Sequence, residues 1–151
     1  MMTKVFNSTF ENSLRMILIL LEFNEPQTLD RLYVVDFLTV YGKTFNIVKE
    51  NLNGENNYLY SEFQSRKLIC REALKKLVLD GMAFPMNDVR GILYEITDAG
   101  KQFADSLHSD YASEYKNYAK AAIKYASNYT DRQIISVINR MSTDSIKRWQ
   151  S

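Results

Sequence analysis

His108 is the one histidine of the chain, and Ser106, Ser109 and Asp110 flank it. These are the residue types from which a nucleophile, a base and an orienting carboxylate are built. Such chemistry needs the three groups to converge in space, whereas neighbours along one helix point around its circumference. The spacing therefore does not make a triad. The sequence also contains no Gly-rich phosphate loop, no His-x-x-x-His pair and no acidic calcium loop. The reading is of a chain without catalytic residues, metal or cofactor, and so not an enzyme. Cys70 is the single cysteine, which rules out an intramolecular disulfide or a Cys-based zinc cluster and fits a reducing cytoplasm.

The remaining candidates are residues for binding macromolecules. Tyr111, Tyr115, Tyr118, Ala122, Tyr125 and Tyr129 are spaced 4, 3, 4, 3, 4, a heptad seam. Aromatic rings with a polar tip suit a partly wet interface, so these tyrosines are candidate partner-binding residues; packing back on their own domain is the alternative. Lys116, Lys120 and Lys124 line another face, most simply as a solubilising stripe. Gln64, Lys67, Arg71 and Lys75 form a second stripe, beside the apolar row of Phe63, Cys70, Leu74 and Leu77. With Arg90 they are possible nucleic-acid contacts, although ordinary solvated helix faces carry the same residues. Arg66 falls on the apolar side among Phe63, Ala73 and Leu77. A guanidinium there needs a partner, and Asp36, Glu62 and Glu72 are the possibilities.

The elements that must position these groups follow from periodicity and punctuation. Ser8 and Glu11 have capping-box spacing before an apolar repeat from Phe10 to Leu21, which predicts a helix over 8–23. Pro26 interrupts it, and Thr28 caps a second over 28–41, ending at Gly42. Lys43 to Asn57 is polar, with five asparagines, and reads as a partly ordered loop. A third helix covers 60–80, with Gly81 at its C-cap. Met82–Phe84 and Gly91–Ile96 bracket Pro85, Asn87 and Asp88 as a hairpin, with Ile92, Tyr94 and Ile96 on one face. Thr97 caps a helix running into the 120s, and Thr130 with Gln133 caps a last helix of about three turns followed by a polar tail.

Helix, helix, helix, hairpin, helix is the order of a winged-helix domain. The expected fold is mainly α: a winged-helix-like core over 1–108 with a two-stranded wing, and a helical extension over 109–151 that packs on it or on a partner. The 42–60 join is far longer than the few residues of a helix-turn-helix, which counts against DNA reading.

With 151 residues and only five glycines and two prolines, the chain can bury a core without staples and should have long elements. Its formal charge of +1 confines any nucleic-acid role to local patches. The longest apolar run, Met16 to Leu21, is six residues, against about 20 needed to cross a bilayer. A cytoplasmic chain without export signal or membrane span is expected.

Several stretches resemble the middle components of bacterial ABC-three-component systems. They are Asn7-Ser8-Thr9-Phe10-Glu11-Asn12-Ser13-Leu14-Arg15, Val35-Asp36-Phe37-Leu38-Thr39-Val40-Tyr41-Gly42, Asn51-Leu52-Asn53-Gly54-Glu55-Asn56-Asn57-Tyr58 with Ser61-Glu62-Phe63, and Tyr94-Glu95-Ile96-Thr97-Asp98-Ala99-Gly100-Lys101-Gln102-Phe103. Lamassu-like defence systems are similar in organisation. The resemblance implies a non-catalytic adaptor bridging an SMC- or ABC-type ATPase and an effector such as a nuclease, in defence against phage and plasmids. DNA would then be met only within the complex. The alternative is a homodimeric winged-helix transcription regulator, whose stripe reads DNA and whose seam pairs two copies.

Overall fold

The computed structural model describes residues 8–42, 44–47 and 59–150. Most of the polar stretch from Lys43 to Asn57 lies outside them. Among the described residues the chain is mainly helical, with one small antiparallel sheet. The elements are α1 (Thr9–Phe23), β1 (Gln27–Thr28), α2 (Leu29–Val40), α3 (Leu59–Leu79), β2 (Ala83–Asp88), β3 (Gly91–Ile96), α4 (Asp98–Asp105), α5 (Asp110–Ala126) and α6 (Asp131–Gln150). No described helix is long and apolar enough to cross a membrane.

The helix starts lie where the hydroxyl residues predict them. Ser8, Thr28 and Thr97 each accept a hydrogen bond from a backbone N–H of the first turn they cap, and Ser109 does the same at a start the spacing does not predict. Thr130 and Gln133 form a reciprocal pair: Gln133 N donates to Thr130 Oγ1 at 3.1 Å and Thr130 N to Gln133 Oε1 at 2.9 Å. At the end of α3, Gly81 takes φ +75°. Its N–H donates to the Val78 carbonyl and that of Met82 to the Leu77 carbonyl, a Schellman closure that favours glycine at that φ.

α1 and α2 form the centre. Met16 to Leu20 are all buried, as is every residue from Leu32 to Val40. Helices that are apolar on all sides must be surrounded, and α3, α5 and the sheet supply the surroundings, with α6 against α2 and α3. The buried face of α5 is Ala112, Tyr115, Ala119, Ala122 and Ala126. Its small residues let the helix lie close on α1 and α2, so the core is continuous from the first helix to Ile138.

Four differences from the sequence reading have physical reasons. The hairpin is a three-stranded sheet in the order β1-β3-β2, because the two residues Gln27 and Thr28 pair with Tyr94 and Leu93; so short a strand leaves no period to detect. Pro85, Asn87 and Asp88 lie inside β2, and the turn is only Val89 and Arg90. Thr97 N donates to Met82 O, and by antiparallel alternation this points Pro85 to the open edge, where a missing N–H costs no ladder bond. Ile92, Tyr94 and Ile96 do share a face, progressively exposed toward the tip.

The helix expected from Thr97 into the 120s is two helices. α4 stops at Asp105, and Ser109 caps a new start at Asp110. Gly100 holds α4 close to the sheet: a Cβ there would run into the Met82 carbonyl oxygen and come within 2.8 Å of the Ile96 side chain. His108 is exposed in this break. α6 continues to Gln150 rather than ending after about three turns, in keeping with the absence of Gly and Pro over 131–150.

Gly100→Ala is expected to lower stability by about 1–3 kcal/mol through overpacking, read as a reduced midpoint in chemical denaturation.

Candidate functional site

Two kinds of site arise from this framework: a buried polar cluster that joins the helices, and an exposed face along α3 and the hairpin. The cluster is centred on Asp36 of α2, which has no exposed surface. Arg15 of α1 donates through Nε to Oδ1 at 3.0 Å and through Nη2 to Oδ2 at 2.7 Å, a bidentate fork. Arg66 of α3 donates to Oδ2 at 2.6 Å, and Tyr115 of α5 donates its hydroxyl to Oδ1 at 2.6 Å. Arg66 also donates to Asn12 Oδ1 at 2.9 Å and to Cys70 Sγ at 3.3 Å, while its Nε is buried with no hydrogen-bond partner among the described residues.

Four helices thus meet at one carboxylate. Burial alone would raise the Asp36 carboxyl, but the two guanidiniums and the Tyr115 hydroxyl outweigh it and hold it below its ordinary 3.8. Burial, with Asp36 beside it, pushes Tyr115 well above 10.0. Burial also pushes the Cys70 thiol up to about 12, so it stays protonated and unreactive.

A second tie fixes the C-terminal helices. Arg31, in the first turn of α2, donates to the carbonyls of Ala126 at 2.9 Å and Tyr129 at 2.8 Å, and its Nε lies 2.8 Å from Asp131 Oδ1. One side chain therefore satisfies carbonyls at the end of α5 and meets the acidic first turn of α6. Burial raises the Asp131 carboxyl, against the pull of Arg31.

The residues singled out from sequence divide between inside and outside. Tyr115 is a correction: a ring with no exposed surface and a hydroxyl given to Asp36 presents nothing to a partner. Tyr111, stacked on Tyr115 with centroids 6.4 Å apart, is half-buried, as are Tyr118 and Tyr125. Tyr129 is exposed, at 44%. The 4-3-4 series shares only Tyr115 and Ala122 with the buried face of α5, and Tyr111, Tyr118 and Tyr125 run along its border.

Gln64, Lys67, Arg71 and Lys75 are all exposed on α3, as is Arg90 in the turn. Their surroundings differ. Lys67 lies 3.1 Å from Asp30, and Arg90 donates to Asp88 at 2.9 Å. Arg90 lines a cleft with Gln27, Asp30, Arg31 and Asp131, whereas Arg71 and Lys75 line a groove with Pro85 and Tyr94. Arg66 takes Asp36 from its three possible partners. Glu62 instead accepts from the Tyr41 hydroxyl at 2.8 Å, and Glu72 is exposed. The role of Arg15 was missed; its signal was a lone charge next to the apolar run from Met16 to Leu21. Among the described residues no group of three or more His, Cys, Asp or Glu is placed to hold a metal.

The arrangement defines a mainly helical protein with a small antiparallel sheet, locked by buried ionic contacts and exposing a basic-apolar helix face. The chain belongs to the ABC-three component (ABC-3C) system Middle Component 2 family, whose model matches residues 5–148. A middle component of a multi-component system implies protein partners and is consistent with an accessory subunit. No curated protein matches the chain, and no solved structure does.

Replacing Asp36 by Ala leaves two buried guanidiniums facing each other and is expected to cost about 3–5 kcal/mol. Tyr115→Phe removes one charge-assisted hydrogen bond and should cost about 1.5–3 kcal/mol. Both are read by urea denaturation.

The carboxyl of Asp36 is lowered on folding, so its stabilisation is present above pH 3.8 and is lost as pH falls through the lower folded value. Cys70 and Tyr115 are raised, so their contribution is complete below 9.0 and 10.0 and is lost as pH rises beyond. Thermal midpoints should be flat around neutrality and fall on both sides, with Asp36→Asn flattening the acid limb.

Proposed function

We propose that the chain is a non-catalytic adaptor of an ABC-three-component defence system, docking on the SMC- or ABC-type ATPase and holding an effector subunit near it. The observation that carries this reading is family membership over residues 5–148. The buried cluster supports it, because an adaptor that positions two partners must itself be rigid. Asp36 and Arg31 tie five of the helices together.

We also propose a winged-helix core. What supports it is the placement of β1 between the first two helices, the sheet order β1-β3-β2 and the helix α3 directly before the hairpin. On this reading α5 and α6 are integral to the domain rather than a free extension, since α5 lies against α1 and α2.

A second reading, a DNA-binding regulator, is favoured by the exposure of Gln64, Lys67, Arg71 and Lys75 on the helix before the hairpin. It is weakened by the acidic partners of Lys67 and Arg90 and by the single net positive charge. A reader of this kind gives binding whose logarithm falls linearly with that of salt concentration.

Co-expression with the products of the adjacent genes, followed by affinity purification and mass measurement of the intact assembly, tests the adaptor. The expected result is a stoichiometric complex containing an ATPase. A chain that captures neither neighbour, yet shifts a duplex from upstream of its own gene at low salt, would establish the regulator instead.

A further inference from the structure

The exposed stripe of α3 is not simply polar. Leu68 is 62% and Leu79 76% exposed, and between them, at spacings of 3, 4 and 4, stand Arg71 and Lys75. No ion pair engages either cation among the described residues. Across from them the hairpin sets Pro85 and Tyr94, and with Val78 and Glu72 these walls bound an open groove of about 390 Å³. Ile92, on the Tyr94 face and 50% exposed, continues the apolar wall toward the tip.

We infer that this groove receives one amphipathic helix of a partner protein, its apolar side chains against Leu79, Val78, Pro85 and Tyr94 and its acidic edge against Arg71 and Lys75. The inference rests on the adaptor reading and names the surface and partner chemistry that reading leaves open.

Three other occupants fit less well. An added strand needs outward N–H donors along β2, and Pro85 removes one from the middle of the open edge. A nucleic acid would leave the apolar walls of Leu79, Val78 and Pro85 facing its phosphates and water. A second copy docked face to face would bring Arg71 and Lys75 toward the same cations of its mate, since a two-fold interface pairs a patch with itself. A helix carrying Leu-type residues at i, i+3 and i+7 with flanking Asp or Glu satisfies both the apolar walls and the unpaired cations.

The test uses the full chain co-expressed with the two adjacent gene products. The photo-crosslinker p-benzoylphenylalanine is placed at position 79 and, separately, at position 114 on the exposed face of α5. Crosslinking from 79 but not 114, into a helical partner segment rich in Asp and Glu, is expected. Arg71→Glu with Lys75→Glu should weaken the complex at least tenfold while leaving the circular dichroism melt unchanged, and acidic-to-Lys changes in the captured segment should restore it.

If the complex forms but crosslinks only from 114 and tolerates both charge reversals, the groove assignment is wrong and the adaptor reading stands. If no complex forms, both fall. A chain that is dimeric in light scattering and becomes monomeric on Leu79→Asp would assign the face to a second copy and overturn the inference.

Discussion

The carboxylate of Asp36 accepts hydrogen bonds from Arg15, Arg66 and Tyr115, side chains carried by three other helices. Once those three donors are in the interior they have few other ways to be satisfied, because leaving a buried donor unpaired costs about 1–3 kcal/mol, and more for a charged one. The geometry is restrictive: the Arg15 fork fixes α1 against α2, Arg66 fixes α3, and the Tyr115 hydroxyl sets the rotation of α5. An apolar cluster of the same volume would serve stability as well. It would not specify a single arrangement of four helices so narrowly, and that specification is what the cluster adds here.

Arg31 performs the complementary task at the other end of α2. By donating to the carbonyls of Ala126 and Tyr129 and meeting Asp131, it closes the bend between α5 and α6. Central α2 thus reaches α1, α3 and α5 from its middle and the start of α6 from its first turn. These contacts tie five of the helices into one framework, which fits the adaptor role proposed above.

Outside the buried cluster of Arg15, Arg66, Asp36 and Tyr115, one exposed surface is the outer face of α3 with the hairpin. Its character is mixed. Two exposed leucines and a tyrosine–proline wall stand beside two cations without ion pairs among the described residues, whereas Lys67 and Arg90 lie against nearby carboxylates. That mixture is typical of helix-in-groove contacts between proteins rather than of a phosphate track.

The sequence by itself determined where the helices start and the hairpin's position, because caps and punctuation act within three or four residues: Ser8, Thr28, Gly81, Thr97 and Thr130 each sit where their local hydrogen bond requires. It also showed that Arg66 faces the core. It was silent on which carboxylate Arg66 meets, on the two-residue strand β1 and on the break before Asp110, where the Ser109-Asp110 cap signal was present but the tyrosine period ran past it. Tertiary structure decided whether the tyrosine seam faces in or out. A period of 3.5 to 3.6 residues says only that one face of a helix is apolar, and which body covers that face depends on α1, α2 and Asp36, contacts 79 residues away along the chain. Long-range pairing of that kind leaves no trace in local spacing, so the assignment of Tyr115 to the interior could come only from the folded chain.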